Sequence, residues 1–113
     1  MTHGYGIACV FFSKIIVPLS ESYRIVMFDN LGWGLSQRVE NVGDALESPE
    51  KSERWIENLL DTTVDALIAN GDVPEKFYLS GHSAGGHMSM VYASRNPHRV
   101  EALFLQSPPA ENW

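Results

Sequence analysis

Phe77-Tyr78-Leu79-Ser80-Gly81-His82-Ser83-Ala84-Gly85-Gly86 is the stretch that decides the fold of this 113-residue chain. It begins with a short apolar run that predicts a buried strand. The residues that follow have a helical pattern, so Ser83 falls on a tight turn between a strand and a helix. Glycine at positions 81 and 85 lets the turn form and lets neighbouring backbone approach closely. We therefore predict that the Ser83 hydroxyl lies at a helix N-terminus, where partial positive charge favours a developing anion.

The composition is that of one small globular domain. Hydrophobic residues make up 44% of the chain, which is enough for a packed core. The net charge of −6 argues against nonspecific binding to nucleic acid. The sequence contains neither an apolar run of about 20 residues, which a membrane-spanning helix needs, nor a signal-peptide pattern. The cytoplasm is thus the expected location, with a lipid-droplet or membrane surface as the alternative.

The cysteine and histidine content argues against a metal site. Cys9 is the only cysteine, which rules out a disulfide within the chain and a multi-cysteine zinc site. The histidines, at positions 3, 82, 87 and 98, do not have the spacing of a metal-binding motif. We expect neither a metal nor another cofactor.

Helices and strands alternate along the sequence. Helices are predicted over Cys9–Leu19, which Pro18 should end or kink, from Ser48-Pro49 to Asn70-Gly71, and from the Ser83 turn to about Arg95; strands are predicted over Arg24–Phe28, residues 77–80 and Val100–Leu105. This order predicts an α/β fold with a mostly parallel sheet flanked by helices. The loops at 3–6, 29–36 and 81–85 should then lie at the carboxyl edge of the sheet, where functional loops gather.

Those loops carry a family resemblance. His3-Gly4-Tyr5-Gly6 resembles the H-G-x-G loop that follows the third core strand of α/β-hydrolases. Asp29 to Ser36 resembles the D-x-x-G-x-G-x-S loop after the fourth strand, and Gly81 to Gly85 resembles the nucleophile elbow after the fifth. The sequence around these motifs is similar to that of the abhydrolase-domain lipid hydrolases, a group that includes lysophospholipases and N-acyl-phosphatidylethanolamine lipases.

The resemblance implies a site and a reaction. Ser83 would be the nucleophile that forms an acyl-enzyme with a small-molecule or lipid carboxylic ester. The backbone N–H groups of Tyr5 and Ala84 would form the oxyanion hole. Hydrolysis and acyl transfer to an alcohol use the same parts, so both reactions stay open. Contact with a peripheral membrane or lipid-droplet surface is a further expectation, and the sequence does not indicate an oligomeric state.

Other polar residues are weaker candidates for catalysis. His82 should point into the fold as a packed, hydrogen-bonded side chain, and His87 should lie on a helix face. His98 should lie at the opposite edge of the sheet from Ser83. Asp29 matches a structural position of its motif, whereas Glu111 follows a strand after which some hydrolases place their acid. We expect Trp33, Trp55 and Met88 to pack in the core or in loops.

The resemblance covers only part of the family's domain. Residues 1–113 correspond to its central portion, with little of the third strand and without the later strands that carry the triad acid and histidine. We therefore expect Ser83 to act in a longer parent protein and the isolated 113 residues to fold poorly. The alternatives are a non-catalytic, lipid-binding regulatory protein, as known within the family, and an inert fragment.

Overall fold

The computed structural model describes residues 1–38, 43 and 47–109. Its elements, in chain order, are a 3₁₀ helix Cys9–Phe12, α1 Ser13–Ser20, α2 Pro49–Ala69, β1 Phe77–His82, α3 Ala84–Arg95 and β2 Val100–Gln106. In the part of the chain so described, β1 and β2 form a two-stranded parallel sheet. The α/β class and the parallel sheet with its flanking helices are thereby confirmed.

Local sequence signals set both ends of the long helix α2. The Ser48 hydroxyl accepts a hydrogen bond from the Lys51 N–H at 3.3 Å, and Pro49 occupies the first turn, where its missing N–H costs no hydrogen bond. The helix ends at Asn70, after which Gly71 has a φ of +77°. A glycine in this left-handed conformation is a common helix terminator. Both ends agree with the prediction from the sequence.

The segment ahead of the first loop lies beside β1. The Thr2 N–H donates to the Ser80 carbonyl at 2.9 Å, and the His82 N–H donates to the Thr2 carbonyl at 3.1 Å. On the other side, the Met1 nitrogen donates to the Val26 carbonyl at 2.8 Å. Met1 and Thr2 therefore lie between β1 and the stretch around Val26.

The strand predicted over residues 24–28 does not form. These residues have no regular secondary structure, although Ile25 to Phe28 are half-buried as a strand there would be. The Met1 nitrogen donates one hydrogen bond to the Val26 carbonyl, as a neighbouring strand would. A strand requires hydrogen bonds to a partner along its length, and among the described residues this stretch has that one backbone bond to a neighbour.

The first helical region differs from the prediction in its detail. Residues 9–12 form a 3₁₀ helix and α1 begins at Ser13, where a single helix over Cys9–Leu19 was expected. Pro18 lies inside α1, which continues to Ser20. Proline lacks an N–H and crowds the preceding turn, so Pro18 removes one hydrogen bond from the helix, which ends two residues later.

The core lies between β1, α2 and α3. It consists of Leu60, Val64, Leu79, Met88 and Tyr92, with Phe28, Ile68, Phe77, Val100 and Leu103 packed around it. Along β1 the side chains alternate, so Leu79 faces this core while Tyr78 and His82 face the opposite side. On that opposite side, the ring of Phe11 packs against His82 with the centroids 4.5 Å apart. Helical segments therefore cover both faces of the sheet.

Ion pairs fix α3 against α2. Arg95 binds both Glu57 and Asp61, and Arg99 binds Asp65. Arg99 also donates to the Tyr92 hydroxyl at 3.4 Å. Because α3 begins directly after Ser83, this contact holds the Ser83 turn relative to α2. None of the described helices is long and apolar enough to span a bilayer.

Candidate active site

Ser83 has a strained backbone. It lies between the end of β1 and the start of α3 with φ 52° and ψ −124°, a conformation that costs a non-glycine residue about 1–3 kcal/mol. Its N–H donates to the Gln106 carbonyl at 2.9 Å, and its carbonyl accepts from the Gly86 N–H at 2.8 Å. These bonds hold the turn from both sides.

A buried pair of hydroxyl groups lies under the turn. The Thr2 hydroxyl oxygen is 2.9 Å from the Gly85 carbonyl oxygen and 2.9 Å from the Ser89 hydroxyl oxygen. Thr2 has one hydroxyl proton, so when that proton goes to Gly85, Ser89 must donate to Thr2. Because both side chains are fully buried, each hydroxyl needs a partner within the protein: Thr2 has the Gly85 carbonyl and Ser89, and Ser89 has Thr2.

Two glycines let the backbone segments meet. A β-carbon at position 85 would lie 2.5 Å from the His3 carbonyl oxygen and 2.6 Å from the Thr2 carbonyl oxygen. One at position 81 would lie 2.5 Å from the Ser89 hydroxyl oxygen. The close approach expected from the sequence at Gly81 and Gly85 is therefore present.

The loop that begins at His3 lies against Ser83. A β-carbon at Gly4 would lie 2.9 Å from the Ser83 β-carbon and 3.0 Å from His82 Nδ1. The His3 ring is buried, with Nδ1 2.9 Å from the Gly4 carbonyl oxygen and Nε2 2.9 Å from the Asn30 nitrogen. The structure thus brings together the loops that follow residues 2, 28 and 82, as the predicted sheet edge requires.

Two backbone N–H groups beside Ser83 are unused. Neither the Tyr5 N–H nor the Ala84 N–H donates a hydrogen bond to any described residue. Ala84 is the first residue of α3, where an N–H has no acceptor within the helix. Both residues line the same cleft, whereas Ser83, which directly precedes Ala84, is not among its lining residues.

The cleft has a volume of about 910 Å³. Its wall is mainly apolar and aromatic, and three walls meet there: the loop at residues 3–5, the loop at 30–33, and the facing sides of α2 and α3. His87, Glu57 and Ser52 contribute polar atoms to it. An apolar cleft with few polar groups is typical of a small-molecule binding site.

The histidines lie outside hydrogen-bond contact with Ser83. Within the part of the chain that the structure describes, the Ser83 hydroxyl has no hydrogen-bond partner. His82 packs against Phe11 as expected, but its buried Nδ1 has no described partner, so the predicted hydrogen bond is absent there. This nitrogen lies 3.0 Å from the position that a β-carbon at Gly4 would take, and glycine has no side chain there to accept or donate a hydrogen bond. His87 lies on α3 and lines the cleft, and His98 is exposed.

Asp29 holds two loops together. Its carboxylate accepts from the Cys9 N–H at 2.6 Å and from the Leu35 N–H at 2.8 Å. These hydrogen bonds lower the pKa of the Asp29 carboxyl below its ordinary value. Burial, and secondarily the neighbouring Asp29, raises the pKa of the Cys9 thiol to about 12. Asp29 has the structural role expected of it, whereas the candidate acid Glu111 lies outside the described residues.

The sequence did not predict the wall of the cleft. Trp33, Trp55 and Met88 were expected to pack in the core or in loops; Trp33 does pack against Tyr5 with the ring centroids 4.8 Å apart, and all three also line the cleft. Met88 does both, because it is also buried in the core. Ile56 on α2 is 39% exposed, so the apolar surface of this helix extends beyond the core. The wide apolar surface of α2 is the sequence feature from which these residues of the cleft wall could have been predicted. Thr2, Ser89 and Asn30 carried no comparable signal.

The chain is similar in sequence to known proteins over most of its length. A family model described as alpha/beta hydrolase fold matches residues 1–113. The chain is 33% identical over 106 residues to a 1-acylglycerol-3-phosphate O-acyltransferase of Arabidopsis thaliana, covering 93% of the chain and 23% of the relative. It is 31% identical over 108 residues to the abhydrolase domain-containing protein abhd-5.2 of Caenorhabditis elegans, covering 96% and 22%.

A bacterial enzyme is also similar. The chain is 36% identical over 95 residues to a 2-hydroxy-6-oxononadienedioate/2-hydroxy-6-oxononatrienedioate hydrolase of Escherichia coli K12, covering 83% of the chain and 29% of that enzyme. The chain therefore spans about a quarter of the length of these curated relatives.

Proposed function

Because the chain belongs to the α/β-hydrolase fold family, we propose that Ser83 is the nucleophile of a serine hydrolase that cleaves carboxylic esters. Its hydroxyl oxygen attacks the ester carbonyl carbon, the alcohol leaves with a proton, and an acyl-serine remains. Water then cleaves the acyl-serine and releases the acid. The Tyr5 and Ala84 N–H groups donate to the carbonyl oxygen while it carries negative charge.

The observation that carries this proposal is the pair of unused donors. Tyr5 and Ala84 line one cleft, Ala84 directly follows Ser83, and neither backbone N–H has an acceptor among the described residues. A donor that is already in place needs no rearrangement when charge develops on the substrate oxygen. The strained Ser83 backbone, at the tip of the turn between β1 and α3, supports the same role as a nucleophile elbow.

The cleft favours an ester with an apolar acyl group. Aromatic and aliphatic side chains line most of it, among them Trp33, Trp55, Ile56 and Leu59. Burying apolar surface of the substrate against them stabilises the complex by about 25 cal/mol per Å². We therefore propose a lipid ester as the substrate class.

We also propose a setting for this reaction. Exposed apolar side chains include Tyr5 of the cleft, Val10 and Phe11 of the 3₁₀ helix, and Leu35. Such side chains favour transient contact with a lipid-droplet or membrane surface from the cytoplasmic side. Because the chain spans about a quarter of its relatives, we propose that residues 1–113 are the central part of one hydrolase domain.

A serine-directed probe tests the nucleophile. We expect a fluorophosphonate to label the natural protein and to fail on Ser83→Ala. Ser94→Ala is the matched control, because Ser94 is an exposed serine of α3 whose hydroxyl donates to the Val91 carbonyl of the same helix. Labelling that persists in Ser83→Ala would refute the assignment. An unlabelled natural protein would favour the non-catalytic, lipid-binding alternative.

Acyl transfer is the second candidate reaction, favoured by similarity to a plant 1-acylglycerol-3-phosphate O-acyltransferase. The acyl-serine would then pass its acyl group to an alcohol in place of water. A p-nitrophenyl ester supplied with and without 1-acylglycerol 3-phosphate separates the two reactions. A hydrolase yields the free acid in both cases. A transferase yields the acylated acceptor when the acceptor is present.

A further inference from the structure

The His3 ring has its protonation pattern fixed by its neighbours. Its Nε2 lies 2.9 Å from the Asn30 backbone nitrogen, and a backbone N–H can only donate. Nε2 must therefore hold a lone pair, which leaves the ring proton of neutral histidine on Nδ1. Nδ1 lies 2.9 Å from the Gly4 carbonyl oxygen, so this proton is donated to Gly4. The buried ring, which is 1% exposed, thus joins Asn30 to Gly4.

The bond to Gly4 also fixes the direction of the next N–H group. The peptide between Gly4 and Tyr5 is trans, so its carbonyl and its N–H point in opposite directions. With the carbonyl turned to the His3 ring, the Tyr5 N–H points away from the ring and finds no acceptor among the described residues. Glycine at position 4 would otherwise allow this peptide to rotate at low cost.

The two backbone segments that the His3 ring joins are each held in place by other contacts. The carboxylate of Asp29, the residue before Asn30, is held by the N–H groups of Cys9 and Leu35. The backbone of His3 packs against Gly85, where no β-carbon would fit. The ring therefore links two fixed backbone segments, and its position is set by both.

We infer that His3 is a positioning residue, which holds the Gly4 carbonyl so that the Tyr5 N–H faces the substrate oxygen at Ser83. This inference rests on the proposed function, because it concerns a donor of the proposed oxyanion hole. It predicts that the Nδ1–H bond to Gly4 matters for the rate of acylation, and that the bond to Asn30 matters mainly for the loop.

Two substitutions separate the two hydrogen bonds. In His3→Asn the side-chain nitrogen can occupy the position of Nδ1 and donate to Gly4, but no atom reaches Asn30. In His3→Gln the side-chain oxygen can occupy the position of Nε2 and accept from Asn30, but no donor lies at Gly4. In the natural protein, we expect His3→Gln to lower kcat by about tenfold or more with little change in KM. His3→Asn should stay within about threefold of the wild type.

Equal losses in both variants, or no loss in either, would overturn the inference. Crystal structures of the two variants give a readout that does not depend on activity. We expect the Gly4–Tyr5 peptide to rotate in His3→Gln and to keep its orientation in His3→Asn. An unrotated peptide in His3→Gln overturns the inference even if Ser83 is reactive. A Ser83 that no probe labels refutes the proposed function, while the peptide orientation still decides the role of His3.

Discussion

The hydroxyl oxygens of Thr2 and Ser89 lie 2.9 Å apart, and neither side chain has any exposure to solvent. Thr2 precedes the loop that carries the Tyr5 N–H, and Ser89 lies on the helix that begins with the Ala84 N–H. The pair thus joins the two segments that supply the free donors. The Thr2 hydroxyl also contacts the Gly85 carbonyl, and the backbone of Thr2 and His3 lies too close to Gly85 for a β-carbon to fit there.

Gly85→Ala tests this packing. A β-carbon there would collide with the backbone carbonyls of His3 and Thr2, which cannot move without disturbing the loop. We expect a loss of about 3 kcal/mol or more in the free energy of unfolding, at the upper end of the usual cost of overpacking. Denaturant unfolding of the natural protein measures it.

Gly86→Ala is the matched control, because it lies in the same helix and gains the same helix propensity. A β-carbon at position 86 would be 3.2 Å from the Pro108 side chain and 3.3 Å from the Gly81 carbonyl oxygen, contacts that shifts of a few tenths of an ångström relieve. We expect a change of about 1 kcal/mol or less. Equal losses in the two variants would contradict the packing argument.

The strain at Ser83 leads to a second prediction. Ser83→Gly should raise the free energy of unfolding by about 1 kcal/mol or more, because glycine adopts a φ of 52° without cost from a β-carbon. Ser83→Ala keeps the β-carbon and should leave stability nearly unchanged. Thermal unfolding of the natural protein compares the three forms. A glycine variant no more stable than the alanine variant would show that the turn is not strained.

Sequence alone was sufficient where the signals are local. The ends of α2 follow from Ser48, Pro49 and Gly71, which act on their own neighbours. The turn at Ser83 likewise follows from a strand, a helix and the glycines between them. Each of these signals depends on residues a few positions apart, so a single sequence contains all of it.

Features that depend on distant partners could not be predicted. The stretch 24–28 has the composition of a strand, but strand formation depends on what lies beside it, and among the described residues Met1 alone donates a backbone bond to Val26. The protonation pattern of His3 depends on Asn30, a residue 27 positions away. The buried pair of Thr2 and Ser89 is separated by 87 positions. These contacts arise from the folded chain and left no pattern in its sequence.

Asp29 should make stability depend on pH. Because hydrogen bonds from Cys9 and Leu35 lower its pKa in the folded protein, its stabilising effect is present above the pKa of the unfolded carboxyl and is lost as the pH falls through the folded pKa. Asp29→Asn cannot accept both hydrogen bonds and should cost about 1–2 kcal/mol at pH 7. The difference between the two proteins should shrink below about pH 5.

Unfolding measured from pH 7 to acid for both proteins gives this difference directly. Other carboxyl groups titrate in both and cancel in the comparison. A gap between wild type and Asp29→Asn that stays constant down to acid pH would contradict the role of the Asp29 carboxylate.

Cys9 should be an unreactive thiol in the folded protein. Burial and the nearby Asp29 carboxylate raise its pKa to about 12, so almost no thiolate is present at pH 8. Since the thiolate is the reactive form, iodoacetamide should alkylate Cys9 at least about a hundredfold more slowly than it alkylates an unfolded thiol. Mass spectrometry of the natural protein with and without denaturant follows the rate of alkylation at this residue.

Asp29→Asn removes the neighbouring negative charge and should increase the rate in the folded state, while the rate in denaturant stays the same. Rapid alkylation of the folded wild type, or a rate that the Asp29 substitution leaves unchanged, would show that the carboxylate does not act on this thiol.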